Sequence, residues 1–254
     1  MSDRALALSP AETDDRVAEA ERELRDFSYI VSHDLAASCR HVAEFSRLLM
    51  GDLGEGLTGR QQAYAIRISM AAAKCQTMME ELLLFSRVQQ KPLERAEQDA
   101  AASLQLARLQ LATEIEAAGA EISVGPLGQV YADPDLLALV LRHLLDNAIK
   151  FHRPHVRPRI AVQATQDETV WRLRITDNGV AVEPAFRDKA FGMFQRLNGE
   201  DAYPGVGAGL AICRRIARRH RGDVRFLDCA EGACIELTLP RAPGRSTVCK
   251  RTAP

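Results

Sequence analysis

The chain has no long hydrophobic run. In its 254 residues nothing approaches the roughly 18 consecutive apolar positions that cross a bilayer. The opening MSDRALALSPAETDD is acidic and lacks the apolar core of a signal peptide, so a cytoplasmic protein is expected. Net charge is nearly absent as well, at −1, which excludes bulk attraction to nucleic acid or anionic lipid. The six cysteines, at 39, 75, 213, 229, 234 and 249, have no C-x-x-C or metal spacing, and reduced thiols are the default. What remains, 46% hydrophobic and 26% charged residues, is ordinary globular material for one or two domains.

Two heptad patterns come first. Val31, Leu35, Ser38, Val42, Phe45 and Leu49 recur at alternating spacings of four and three, as do Tyr64, Ile68, Ala71, Cys75, Met78, Leu82 and Phe85. A period of about 3.5 residues is the seam of a left-handed helix bundle, narrower than the face of a surface helix. Between the patterns, Gly51-Asp52-Leu53-Gly54-Glu55-Gly56 and Gly59 break the helix and allow a turn. The resulting antiparallel hairpin cannot cover both of its faces. Pairing two copies into a four-helix bundle closes the core, so burial alone leads to a homodimer.

His33 falls two residues after one seam position and two before the next, on the outer flank of the first helix. Its imidazole is open there to an external phosphorus atom, although a lone surface histidine usually does nothing. Asp34 changes the balance, because a carboxylate holding one ring nitrogen leaves the other the better nucleophile. His41 has no acidic neighbour and is expected to be exposed and idle.

From Leu104 the pattern becomes mixed. A helix over Leu104–Ala118 precedes short strands at Glu121–Val124 and Gln129–Ala132, and Asp133-Pro134 is a cap with proline in the first turn. On the helix that follows, Leu137, Leu141, Leu144, Ala148 and Phe151 form a buried stripe, and His143, Asn147 and Lys150 share a different face. Solvation alone would account for such a face. Chemistry offers more: the Asn147 amide oxygen can ligate Mg²⁺, and the Lys150 ammonium one turn on can reach phosphate oxygens.

Arg159–Gln163 and Trp171–Ile175 alternate as half-buried strands, the second running into Asp177-Asn178-Gly179. A carboxylate at a strand end suits the exocyclic amine of adenine, and glycine lets the base lie against backbone. By itself a D-x-G tripeptide is commonly just a turn. Here Gly205-Val206-Gly207-Ala208-Gly209-Leu210 follows and opens a helix, freeing backbone amides toward phosphate at a helix N-terminus. No Gly-Lys-Ser/Thr makes this a Walker loop, and no strand leads straight into it as a dinucleotide fingerprint requires. Phe191 and Phe194, three apart, can be plain core. Arg214, Arg215, Arg218, Arg219 and Arg221 crowd the next helix; with no nucleic-acid motif nearby, they read as a solvated face or a docking face for an acidic partner. Strands at Asp223–Leu227 and Cys234–Leu239 close an α/β sandwich, and the tail from Ala242 is expected to be disordered.

Ser32-His33-Asp34-Leu35, Asn147-Ala148-Ile149-Lys150-Phe151, Asp177-Asn178-Gly179-Val180-Ala181 and the glycine loop occur in that order. With them the chain resembles the dimerisation and catalytic core of bacterial sensor histidine kinases, in their phytochrome-like branch, from about Glu21 to Pro240. The resemblance implies an α plus α/β fold: a helical hairpin forming a dimeric four-helix bundle, then a Bergerat-type (GHKL) α/β-sandwich ATP-binding domain. It implies residues 1–20 as a linker or helix start, 21–92 as the dimerisation and phosphotransfer domain, 93–103 as a linker, 104–241 as the ATP-binding domain and 242–254 as a tail. His33 matches the phosphoacceptor with Asp34 beside it, Asn147 the metal-binding asparagine and Lys150 the phosphate-contacting lysine. Asp177 and Gly179 match the adenine site, Gly205, Gly207, Gly209 and Leu210 the lid, and Phe191 with Phe194 the aromatic lid anchor. ATP and Mg²⁺ are the implied cofactors. The implied partners are a second copy, the receiver domain of a response regulator and, as no sensor domain fits in this length, a separate sensor protein.

Four positions depart from the family pattern. Ser38 replaces the usual proline and Ala37 a polar residue that orients water for dephosphorylation, which implies a weak phosphatase. Ala181 replaces glycine, adding a methyl group near the nucleotide. His143 replaces asparagine; imidazole is a poor ligand for Mg²⁺ and becomes partly cationic near an ordinary pKa of about 6.5, yet it can still hydrogen-bond phosphate. The leading expectation is a cytosolic histidine kinase that autophosphorylates His33. The alternative is a phosphotransfer or adaptor protein with a degenerate ATP-binding domain. A serine kinase would leave the hairpin unexplained.

Overall fold

The computed structural model describes residues 37–52, 58–197 and 203–242; His33, Asp34 and the tail from 243 lie outside them. The chain divides into two compact units, Met1–Arg87 and Val88–Pro254. The first is helical, with α1 over residues 37–52 and α2 over Gly59–Gln90. Thr58 and Gln61 start α2 as a reciprocal capping box: the Thr58 N–H donates to Gln61 Oε1 at 2.9 Å, and the Gln61 N–H to Thr58 Oγ1 at 3.4 Å.

The heptads of this unit hold a second register. Cys39, Ala43, Ser46 and Met50 on α1, and Ala65, Ser69, Ala72, Gln76 and Met79 on α2, are buried or half-buried. Each sits one residue after a position of the large apolar seam. The hairpin therefore closes on mainly small residues, with the Cys39 thiol hydrogen-bonded to that of Cys75. The seam stays open at Val42, Phe45, Leu49, Tyr64 and Ile68, between 49% and 68% exposed, while its Met78, Leu82 and Phe85 are half-buried.

In the second unit a five-stranded sheet has the order β2-β4-β5-β7-β6. Its strands are β2 (Glu121–Val124), β4 (Arg159–Gln166), β5 (Val170–Asp177), β6 (Asp223–Leu227) and β7 (Cys234–Pro240). Only the β2–β4 pair is parallel. Alternation sends Ile160, Val162, Trp171, Leu173, Ile175, Val224 and Leu237 inward, as the two-residue period requires. They meet the apolar faces of α5 (Pro134–Lys150) and α7 (Gly209–Arg219), with α3 (Ala100–Gln110) packed on α5. On the other face Glu236 receives Arg174 at 3.2 Å and Arg225 at 2.7 Å, which keeps its carboxyl below the usual range despite burial.

Three expectations need correction. Ala96–Asp99, inside the expected linker, forms strand β1, paired antiparallel with β3 (Gln129–Ala132), and Asp99 caps α3 by accepting from the Ala101 N–H at 3.0 Å. The helix expected over Leu104–Ala118 breaks at Leu111 (φ −108°, ψ 17°) into α3 and α4 (Ala112–Ala118). Of the five arginines at 214–221, Arg218 and Arg221 are exposed as expected, whereas Arg214, Arg215 and Arg219 are neither simply solvated nor free for docking. Arg219 donates to the carbonyls of Val88 and Lys91, and Arg215 to Gln89 Oε1 at 3.0 Å. Arg214 pairs with Asp188 at 2.8 Å and lies 4.0 Å over the Phe191 ring. Arginine is suited to this because its fork satisfies several acceptors at once.

Candidate nucleotide-binding site

α5 is the spine of the site. The Asp133 side chain caps it by accepting from the Leu136 N–H at 3.1 Å, and Pro134 occupies the first turn. The same carboxylate accepts from the Glu94 N–H and Lys91, while the Asp133 N–H donates to buried His220 Nε2 at 3.0 Å. One end of α5 is thereby pinned, and its other end carries the candidate ligands. Leu137, Leu141, Leu144 and Ala148 are buried as expected. Phe151 is not part of that stripe; it is the half-buried C-cap and stacks at 5.0 Å on Tyr203.

Three residues of α5 and its cap lie against three of the four glycine positions singled out in sequence. A Cβ added at Gly179 would stand 2.4 Å from Phe151 O, and one at Gly205 2.5 Å from Lys150 Nζ. At Gly209 the nearest atom would be His143 Nδ1, at 3.1 Å. The glycines therefore provide close approach, and Gly205 and Gly207 also hold φ of 111° and 77°. Leu210 is half-buried in the first turn of α7. That helix begins at Ala208 without a side-chain cap, so its first amides point at the loop unused.

Each ligand candidate has a distinct environment. Asn147 Nδ2 is buried with no hydrogen-bond partner, an orphan that a bound group at this face would relieve. His143 is 5% exposed; burial, then the charges of Arg142 and Lys150, lower its pKa to about 3. The expected partial charge near pH 6.5 is thus corrected: the imidazole is neutral. Asp177 Oδ1 accepts from the Gly179 N–H at 2.8 Å and the Ala233 N–H at 3.2 Å, while burial pushes its carboxyl up. Phe191 is buried against Phe226 at 5.4 Å, whereas Phe194 is half-buried with a left-handed φ of 59°. Ala181 and His41 are exposed.

Sequence reasoning missed several supports. Gly232 (φ 65°) lets the β6–β7 turn bring the Ala233 N–H onto Asp177, since a Cβ there would meet Asp177 O at 2.0 Å. Asn178 Oδ1 accepts from the Arg159 N–H at 2.9 Å and its Nδ2 donates to Arg157 O at 3.0 Å, tying the D-x-G turn to β4. Arg153 Nε donates to Gly179 O at 3.1 Å. Local signals for these were slight: an Asn after Asp, and a glycine in a short turn.

Residues 132–243 match the family described as histidine kinase-, DNA gyrase B- and HSP90-like ATPase. The chain is 32% identical to cyanobacterial phytochrome A of Nostoc sp. (strain PCC 7120), over 86% of this chain and 28% of that protein. It is 30% identical to the sensor protein KdpD of Escherichia coli (strain K12), over 93% of this chain and 26% of that one. The chain carries the GHKL-type ATP-binding domain of the sensor histidine kinases. It spans under a third of the length of these curated relatives. In fold, it matches full-length ShkA in complex with AMPPNP at a TM-score of 0.63, with 23% identity over 86% of this chain and 46% of that one. Histidine kinase ThkA in complex with response regulator protein TrrA matches at 0.60, with 18% identity over 94% of this chain and 68% of that one. No helix among the described residues is long and apolar enough to cross a membrane.

Proposed function

We propose that the protein is a protein-histidine kinase of two-component signalling. The observation carrying this reading is that His143, Lys150 and Phe151, from one helix end, lie against Gly209, Gly205 and Gly179. A single nucleotide spans these contacts, with adenine at Asp177 and phosphates at Lys150 and the lid. Mg²⁺, held by the Asn147 amide oxygen, would neutralise phosphate charge. One nitrogen of the His33 imidazole attacks the γ-phosphorus; an N–P bond forms, the bond to the bridging oxygen breaks, and ADP leaves. Asp34 orients the ring and stabilises the charge it gains. The phosphoryl group then passes to an aspartate of a response-regulator receiver domain. Little covalent chemistry is asked of the chain, which positions groups and balances charge. The open seam of Val42, Phe45, Leu49, Tyr64 and Ile68 supports a homodimer, since a second hairpin would cover it.

The test is incubation with γ-labelled ATP and Mg²⁺. Acid-labile, alkali-stable label is expected on the wild type and none on His33→Ala, with nucleotide binding unchanged. Persisting label in the variant would move the acceptor. A wild type that fails to bind ATP at millimolar concentration would leave a phosphotransfer protein in which His33 is labelled only from a phosphorylated partner.

A further inference from the structure

The ring of His143 has a donor partner on one side only that chemistry can assign without ambiguity. Arg142 Nη2 lies 3.2 Å from His143 Nε2. A guanidinium has N–H donors and no acceptor, so Nε2 must be the acceptor. A neutral imidazole has one N–H, and burial together with the neighbouring Arg142 and Lys150 charges keeps this ring neutral. The proton therefore sits on Nδ1. That nitrogen is the atom nearest to the space beside Gly209, where α7 begins without a side-chain cap.

We infer that Arg142 is a positioning residue that locks His143 in the Nδ1–H tautomer, so that the ring offers a neutral hydrogen-bond donor to nucleotide phosphate at the N-terminus of α7. The donor role rests on the nucleotide-binding reading above; the tautomer does not. An amide at this position presents its NH₂ without help, because a carboxamide always has a donor. A histidine needs its second nitrogen occupied before it offers one reliably. Arg142 meets that need from the adjacent position on α5. A ring held as Nε2–H would instead aim a lone pair at phosphate oxygens, which repel it.

The experiment uses the full chain with ¹⁵N-labelled histidine, whose long-range ¹H–¹⁵N correlations distinguish the two tautomers. The His143→Asn spectrum assigns the signal among the six histidines. Wild type is expected to show Nδ1–H at pH 7, and Arg142→Met to lose that signature and bind AMPPNP about tenfold more weakly, the scale of one hydrogen bond to a charged group. Arg142→Lys, whose ammonium has donors and no acceptor, is expected to restore both, and should Arg142→Met fail to fold, an Arg142→Lys variant that shows Nε2–H overturns the proposal. In a His143→Asn background, Arg142→Met should alter affinity by less than about twofold. An Nε2–H signal in wild type overturns the proposal, as does an equal affinity loss with and without His143. AMPPNP failing to bind wild type overturns the nucleotide reading and the donor role together, and is told apart by an Nδ1–H spectrum that still depends on Arg142.

Discussion

Asn147 and His143 sit one turn apart and are controlled by opposite means. Asn147 has a buried, unpartnered Nδ2, a donor that an acceptor such as a phosphate oxygen would satisfy. Asn147→Ala is expected to weaken Mg²⁺-dependent AMPPNP binding by at least about tenfold in calorimetry, with folding intact; unchanged affinity would refute the metal assignment. His143 is controlled by burial. Its pKa is about 3 in the folded chain against 6.5 unexposed to such an environment. Between those values the unfolded chain holds a proton that the folded chain lacks. Stability thus rises with pH through that window, by at most about 1.4 kcal/mol per unit from this group, and is complete above it. Burial lowers His220 as well, with the same sign. Denaturant unfolding at pH 5 and 7 should therefore show a smaller pH difference for His143→Asn than for wild type. Nucleotide affinity should not step near pH 6.5, because no imidazolium forms at His143 there.

At the scale of elements, the site is made of ends: the C-terminal turn of α5, the strand end of β5, the β6–β7 turn and the N-terminus of α7. Each is fixed by a small device rather than by its own propensity. Gly232 is the least replaceable of these. Gly232→Ala would place a methyl group 2.0 Å from Asp177 O at a φ of 65°, and is expected to cost about 2 kcal/mol or more in thermal or denaturant unfolding. Nucleotide binding should fall with it, since Ala233 N–H would leave Asp177. Asp133-Pro134 and the alternating strands were legible because caps and two-residue periods are local. The break at Leu111 and strand β1 were not: one depends on how α3 and α4 pack, the other on β3 being at hand to pair with it.

For the molecule as a whole, the two registers of the hairpin matter most. The inner one, of mainly small residues, lets the helices approach closely; the outer one, of large residues, faces solvent at Val42, Phe45, Leu49, Tyr64 and Ile68. A second copy is the expected cover, and Phe45→Glu should halve the mass measured by light scattering while nucleotide binding by the second unit persists. A wild type already monomeric at tens of micromolar would count against the homodimer.

The linear pattern marked the helices and strands other than β1 and the break at Leu111, and it singled out the residues of the candidate site, because D-x-G, the spaced glycines and the Asn–Lys pair are local arrangements with local chemical consequences. Tertiary structure decided three things. It made His143 neutral, since desolvation depends on what surrounds a side chain and not on its neighbours in sequence. It turned Arg215 and Arg219 from surface residues into ties on the end of α2, because hydrogen-bond partners 126 to 131 residues away leave no local trace. It divided one apparent seam into two, because a rotation of about 100° per residue separates faces that a heptad count merges.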